Sequence, residues 1–167
     1  MDLRLPGRRA WRDEGGVGRF WGSAASGVLF RAMESGRILL LKRSAETAQG
    51  GTWGIPGGAI PVDDVTGERM DSWQSARKEA EEESGWAGGA APKRKHTWHD
   101  PAGSAFTYTT FEVMVLLEFE PDLSDGEHTE ARWVTLDQAE SLNLHPGIIW
   151  LLPRLRRGRR TLIRRVE

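Results

Sequence analysis

The sequence predicts an α/β layered domain, and three observations carry that expectation. Short apolar stretches with strand character alternate with stretches of helical period. Gly- and Pro-bearing turns separate them, and 167 residues with 38% hydrophobic content suffice for one well-buried core but not for two. Residues 1–20 are rich in Arg and Gly without periodicity and read as an arm or covering segment; residues 21–153 form the domain, and 154–167 a basic helix end and tail. Within the domain, residues 23–30 and 37–42 read as a hairpin. Its second strand carries the unbroken run Ile38-Leu39-Leu40-Leu41, and its turn contains Glu34-Ser35-Gly36. After a polar loop, Trp53-Gly54-Ile55-Pro56-Gly57-Gly58 supplies flexible backbone of the kind needed where main chain must approach another group closely.

A helix is expected next, capped by Asp71 or Ser72, running to about Ser84 and stopped by Gly85. Trp73, Ala76 and Ala80 would face the core, with the acidic residues opposite. Two more strands follow, at 96–98 and at 107–119, where Phe111, Val113 and Val115 alternate with Thr110, Glu112 and Met114. A short strand at 132–135, a short helix at 136–140 and an apolar helix at 147–157 complete the chain.

Composition removes several classes of function. There is no cysteine, which excludes disulfides, thiolate nucleophiles and Cys-ligated zinc or iron–sulfur centres. A net charge of −1 argues against a general polyanion-binding surface, so nucleic acid is not an expected partner. The seven arginines from Arg154 to Arg165 read as a solvated helix end and tail. No apolar core suited to a signal peptide lies near the start, and no apolar run approaches the ~20 residues of a membrane span. The expectation is a soluble, cytoplasmic protein without a membrane partner. A homodimer is compatible with the sequence but not indicated by it. His96 and His99 lack a third ligand for zinc, and His145 before Pro146 reads as a turn residue.

The chemistry concentrates in Lys78-Glu79-Ala80-Glu81-Glu82-Glu83-Ser84-Gly85-Trp86. On a helix, Glu79, Glu82 and Glu83 stand at i, i+3 and i+4 and converge on one edge within about 5–6 Å of each other. Like charges so close repel, and a hard divalent cation such as Mg²⁺ or Mn²⁺ is the economical compensation. With the glycine turn upstream, the run resembles the Nudix box: Gly, five residues, Glu, seven residues, then Arg-Glu-aliphatic-any-Glu-Glu-any-Gly-aliphatic. Gly58 would open it, and Glu79, Glu82, Glu83 and Gly85 match its acidic and glycine positions.

Three departures stand out. Lys78 replaces arginine and loses its bidentate fork. The stretch from Gly58 to Lys78 is six residues longer than the pattern, which leaves the first box acid open between Asp64 and Glu68. Trp86 occupies an aliphatic position.

The resemblance implies a Nudix-type α/β/α sandwich with a mixed β-sheet, and a metal-dependent hydrolase of a nucleoside diphosphate linked to another moiety. It implies Gly58, Glu79, Glu82 and Glu83 as metal-binding residues, and Glu79, Glu82 and Lys78 as catalytic. Glu127 and Glu130 are candidate bases outside the box. Trp21, Arg43, Trp53 and Gly57 are candidate contacts to a small nucleotide or diphosphate substrate. A nucleoside triphosphate or modified nucleotide leads. Pro101 resembles a proline position of ADP-ribose hydrolases, so an ADP-ribose pyrophosphatase is the first alternative and a non-catalytic nucleotide-binding regulator the second. An isopentenyl-diphosphate-type isomerase is disfavoured because those enzymes depend on a cysteine.

Overall fold

The computed structural model describes residues 24–63 and 65–164. In chain order it contains β1 (Ala24–Ala32), β2 (Ile38–Arg43), β3 (Trp53–Gly54), β4 (Gly57–Ala59), α1 (Ser72–Ser84), β5 (Arg94–His99), β6 (Thr107–Val115), β7 (His128–Val134), α2 (Leu136–Glu140) and α3 (Pro146–Arg164). The strands form one mixed sheet of seven. Its path is β3-β2-β1-β6-β5, with β4 also paired to β1 and β7 to β2. β1 and β6 run parallel from Ala24 opposite Thr107 to Ala32 opposite Val115, and every other pair is antiparallel.

Both faces of the sheet's centre are buried, which explains why β2 is apolar at four successive positions rather than at alternate ones. Val28, Phe30, Leu39 and Leu41 pack beneath α1 with Ala76, Ala80, Trp86, Phe111 and Val113. Leu29, Ile38 and Leu40 face the opposite layer, where α2 and α3 contribute Leu136, Ala139, Ile148, Leu151, Leu152 and Leu155. Each Val, Leu, Ile or Phe side chain among these, fully withdrawn from water, contributes about 1.5–3 kcal/mol. The result is the expected α/β/α sandwich. Trp86, at an aliphatic position of the box, serves the same packing: it is buried and meets Phe30 edge-on at 5.1 Å.

The limits of α1 follow its caps. The Asp71 carboxylate accepts from the Gln74 backbone N–H at 3.1 Å, and Gly85 ends the helix in the left-handed region at φ 73°. One expectation for this helix fails. The acids do not all lie opposite the core, because Glu83 follows Ala76 and Ala80 along the buried stripe and is 3% exposed.

Elsewhere the element limits shift for identifiable reasons. β6 stops at Val115 instead of 119, where its partner β1 ends and turns; Leu116 and Leu117 are exposed. β7 begins at His128 instead of 132 because its ladder with β2 extends back to Arg43. β3 and β4, two and three residues long, emerge from the glycine turn as short pairings with β2 and β1. α3 continues to Arg164 with Pro153 inside it, and begins at Pro146, whose fixed φ suits a first helical position. Among the described residues no helix is long and apolar enough to cross a membrane. The arm at 1–20 lies outside the described residues.

Gly85 gives a direct test of this packing. A Cβ there would sit 2.9 Å from Asp122 Cβ on a backbone that L-residues avoid, whereas at Gly89 it would meet nothing within 4 Å. Gly85→Ala is expected to lower unfolding stability by about 1–3 kcal/mol. Gly89→Ala, measured in the same denaturant titration, should be neutral or slightly stabilising.

Candidate active site

Three segments distant in sequence converge beside β4. From α1, Glu83 reaches down to accept the Gly57 backbone N–H at 2.9 Å. One turn earlier, Glu79 packs against Gly58 so closely that a Cβ on that glycine would sit 2.7 Å from Glu79 Oε1. Gly57 is equally constrained. A Cβ there would meet the Tyr108 hydroxyl, and would approach Ser26 O at 2.7 Å and Gly27 Cα at 2.9 Å. The Pro-Gly-Gly turn is therefore glycine because carboxylate and tyrosine side chains occupy the space a side chain would need. Glu82, on the outer side of α1, is half exposed and faces Lys78 Nζ at 3.7 Å.

The third segment is the loop entering β7. Asp125, Gly126 at φ 80° and Glu127 form a tight turn that brings both acids to Glu83; carboxylate oxygens of Glu83, Asp125 and Glu127 all lie within 4.8 Å of one another.

The electrostatics follow from burial and crowding. Glu83 is pushed up to about 10, first by burial, then by a hydrogen bond with Glu127 and the charge of Glu79. Glu79 is raised to about 7 by burial and by Glu82 and Glu127, with Lys78 opposing. Asp125 is also raised, chiefly by burial. The donor set is all carboxylate oxygen, drawn from one helix and one loop. That matches what Mg²⁺ or Mn²⁺ takes, and a dication would let these groups ionise together. Glu83, Asp125 and Glu127 can hold such an ion, with Glu79 beside them.

A cleft adjoins this cluster and shares Gly57 with it. Arg43, Trp98, Tyr108, His145 and Trp150 line it, together with Gly54, Ile55 and the first turn of α3. Trp98 packs on Phe106 at 6.2 Å, and the Arg154 guanidinium lies 3.7 Å over the Trp150 ring. His145 accepts the Gly147 N–H on Nδ1 at 3.0 Å. Burial, and then the nearby Arg43 charge, hold its pKa down at about 3, so the ring is neutral. The same causes lower buried His128 to about 4.

The remaining candidates lie apart. Glu130 is engaged by Arg132 at 2.9 Å and Lys42 at 4.0 Å, outside the acid cluster. Glu68 is exposed in a small hairpin made by the box insertion. There Val62 bridges Arg69, and Asp63 caps the turn by accepting from the Val65 and Thr66 N–H groups at 2.8 Å. Asp64 and Trp21 lie outside the described residues. Trp53 is buried in the core with Arg132 stacked 5.0 Å over its ring. Arg43 and Gly57 do line the cleft.

Sequence reasoning missed Asp125, whose only signal was an acid–Gly–acid turn. It also missed Tyr108 as a cleft residue and took His145 for an ordinary turn residue.

The NUDIX domain family model matches residues 22–155. A Mycobacterium tuberculosis protein named "Putative 8-oxo-dGTP diphosphatase 3" is 33% identical over 147 residues, covering 82% of this chain. The chain spans 64% of that relative's length. The crystal structure of a Nudix hydrolase from M. smegmatis, RenU, superposes with a TM-score of 0.67 at 32% identity, covering 86% of this chain and 90% of that one. A C. elegans Ap4A hydrolase shares the fold, with a TM-score of 0.61 at 21% identity over 83% of this chain and 98% of that one.

The raised carboxylates set a pH dependence with a definite sign. A buried acid whose folded pKa exceeds its unfolded value keeps its proton in the folded state while the unfolded chain loses it, so stability falls as pH rises between the two values. The buried histidines act below about pH 6.5, where their folded pKa lies under the unfolded one. Above pH 7, therefore, Glu83 dominates. With chelator present, the thermal midpoint should fall from pH 7 to 9, and Glu83→Gln should flatten that slope; an unchanged slope would contradict the assignment.

Proposed function

The chain belongs to the NUDIX domain family, and on that premise we propose that it hydrolyses the phosphoanhydride of a nucleoside triphosphate, a modified nucleotide foremost, with Mg²⁺ or Mn²⁺. The observation that carries the reading is the meeting of Glu83 with Asp125 and Glu127 beside the Gly57 N–H. A binding module has no use for that many crowded, partly buried carboxylates. The triphosphate class is supported by 8-oxo-dGTP in the name of the M. tuberculosis relative.

In this reading Glu83, Asp125 and Glu127 would hold the metal, with Glu79 and Glu82 adding negative charge beside it. When bound, the cation neutralises phosphate oxygens and lowers the pKa of the water it carries.

The chain's own residues do the rest. Gly57 and Gly58 leave the room that the Tyr108 and Glu79 side chains need beside the acid cluster. Arg43 lines the cleft, and its charge would offset negative charge that develops on the phosphates. Water attacks phosphorus, the bridging P–O bond breaks, and the leaving phosphate or pyrophosphate carries away the bond's electron pair. Glu127, exposed on its loop and hydrogen-bonded to Glu83, accepts the proton of the attacking water and releases it to solvent. Glu83, held by the Gly57 N–H, keeps Glu127 in place. Lys78 restrains Glu82 across one helical turn.

Pyrophosphate release from nucleoside triphosphates and oxidised nucleotides, assayed with Mg²⁺ or Mn²⁺ and again with chelator, tests this reading. The expected result is chelator-sensitive turnover, with Glu127→Gln lowering kcat by about 10²–10⁴-fold. Near-wild-type kcat in that variant would remove Glu127 from the proton step, and turnover unaffected by chelator would overturn the metal-dependent reading.

A further inference from the structure

Nothing in the hydrolytic step calls for Tyr108, the only tyrosine of the chain, yet two glycines make room for its hydroxyl. Tyr108 starts on β6 opposite Ala25 of β1. Its hydroxyl ends two residues further along β1, against Gly27, and also against Gly57 of β4. Those two glycines are register partners in the β1–β4 ladder, and a Cβ on either would occupy the hydroxyl's place. A side chain from one strand can cross its neighbour only where the neighbour carries no side chain of its own.

The slot is polar as well as narrow. A Cβ on Gly27 would also sit 2.6 Å from Pro56 O, and one on Gly57 2.7 Å from Ser26 O. A hydroxyl suits carbonyl neighbours where hydrocarbon does not, because an O–H can donate. It keeps that proton: burial first, then the Glu83 charge, hold Tyr108 above the ordinary tyrosine range, with Arg43 opposing.

The glycine turn is therefore held from two sides. From α1, Glu83 accepts the Gly57 N–H at 2.9 Å. From the cleft, the Tyr108 hydroxyl bears on the same residue. β4 is three residues long and pairs with β1 at three positions, so a gap left in the slot lets so short a strand settle into it.

We propose that Tyr108 is a positioning residue whose hydroxyl holds the Gly57 N–H on Glu83 and thereby fixes Glu83 within the acid cluster. Its consequence for ion affinity rests on the metal-dependent reading above. Its hold on the main chain does not, and is measured without an ion.

The test uses the full chain carrying Tyr108→Phe and two readouts: Mn²⁺ affinity by calorimetric titration, and hydrogen exchange of the Gly57 amide in chelator. Mn²⁺ should bind about 10–100-fold more weakly. The Gly57 amide should exchange about tenfold faster or more, while the amides of the β1–β6 ladder stay as slow as in the wild-type chain, a selectivity that general loss of stability would not give.

Affinity and exchange both unchanged would overturn the proposal, and so would a change in either without the other. If the wild-type chain binds no Mn²⁺, the metal-dependent reading falls and exchange alone decides: a faster Gly57 amide in the variant upholds the proposal, and an unchanged one overturns it. Should the variant not fold, the wild-type chain labelled at its one tyrosine decides. Nuclear Overhauser contacts from that ring to the Hα protons of both Gly27 and Gly57, with a Gly57 amide as slow to exchange as those of β1, support the proposal; the absence of either overturns it.

Discussion

Burial of the Glu83 carboxylate against the Gly57 N–H organises this molecule. A carboxylate that is 3% exposed needs partners, and the structure supplies one backbone donor and the Glu127 side chain. That single contact ties the end of α1 to the turn between β3 and β4. It also draws in the loop before β7, and it requires glycine where the side chains of Glu79 and Tyr108 pass. The geometry of the candidate site is thus a consequence of where one acid is allowed to sit. The stability that arrangement forfeits in the absence of a cation is made up by the two apolar layers on either side of the sheet.

Those layers also explain the division of labour in the fold. The face under α1 is filled by aromatic rings, with Phe119 placed edge-on between Phe30 and Trp133 at 5.2 and 5.5 Å. This rigid floor fixes the height of α1 and hence of its acids. The opposite face is aliphatic beneath α3 and opens into the cleft where Trp98, Tyr108 and Trp150 replace aliphatic side chains. Charge lies on one side of Gly57 and aromatic surface on the other, an arrangement suited to a molecule with an anionic end and a flat end.

Much of this was legible in the sequence because it depends on local physics. The limits of α1 were readable from Asp71 and Gly85, since caps act within one turn. The doubly buried strand was readable from four successive apolar residues. What was not legible depends on pairing across the chain. Glu83 looked like its neighbours until Ala76 and Ala80 proved to share its stripe. Asp125 is marked only by an acid–Gly–acid turn until β7 pairs back to Arg43 and brings its loop to the helix. β3 and β4 are too short and too rich in glycine to register as strands. The box insertion, which left the first acid ambiguous, folds as an exposed hairpin with its own Asp63 cap, and that is a tertiary outcome rather than a pattern.

The account turns on whether the buried acids exist to meet a cation. Calorimetric titration of the chain with Mn²⁺ at pH 7.5, repeated in two buffers of different ionisation enthalpy, measures binding and proton release together. Because Glu83 and Glu79 hold their protons well above the usual carboxylate range, saturable binding should release about one proton per ion. Binding with no proton release, or no binding at all, would contradict it.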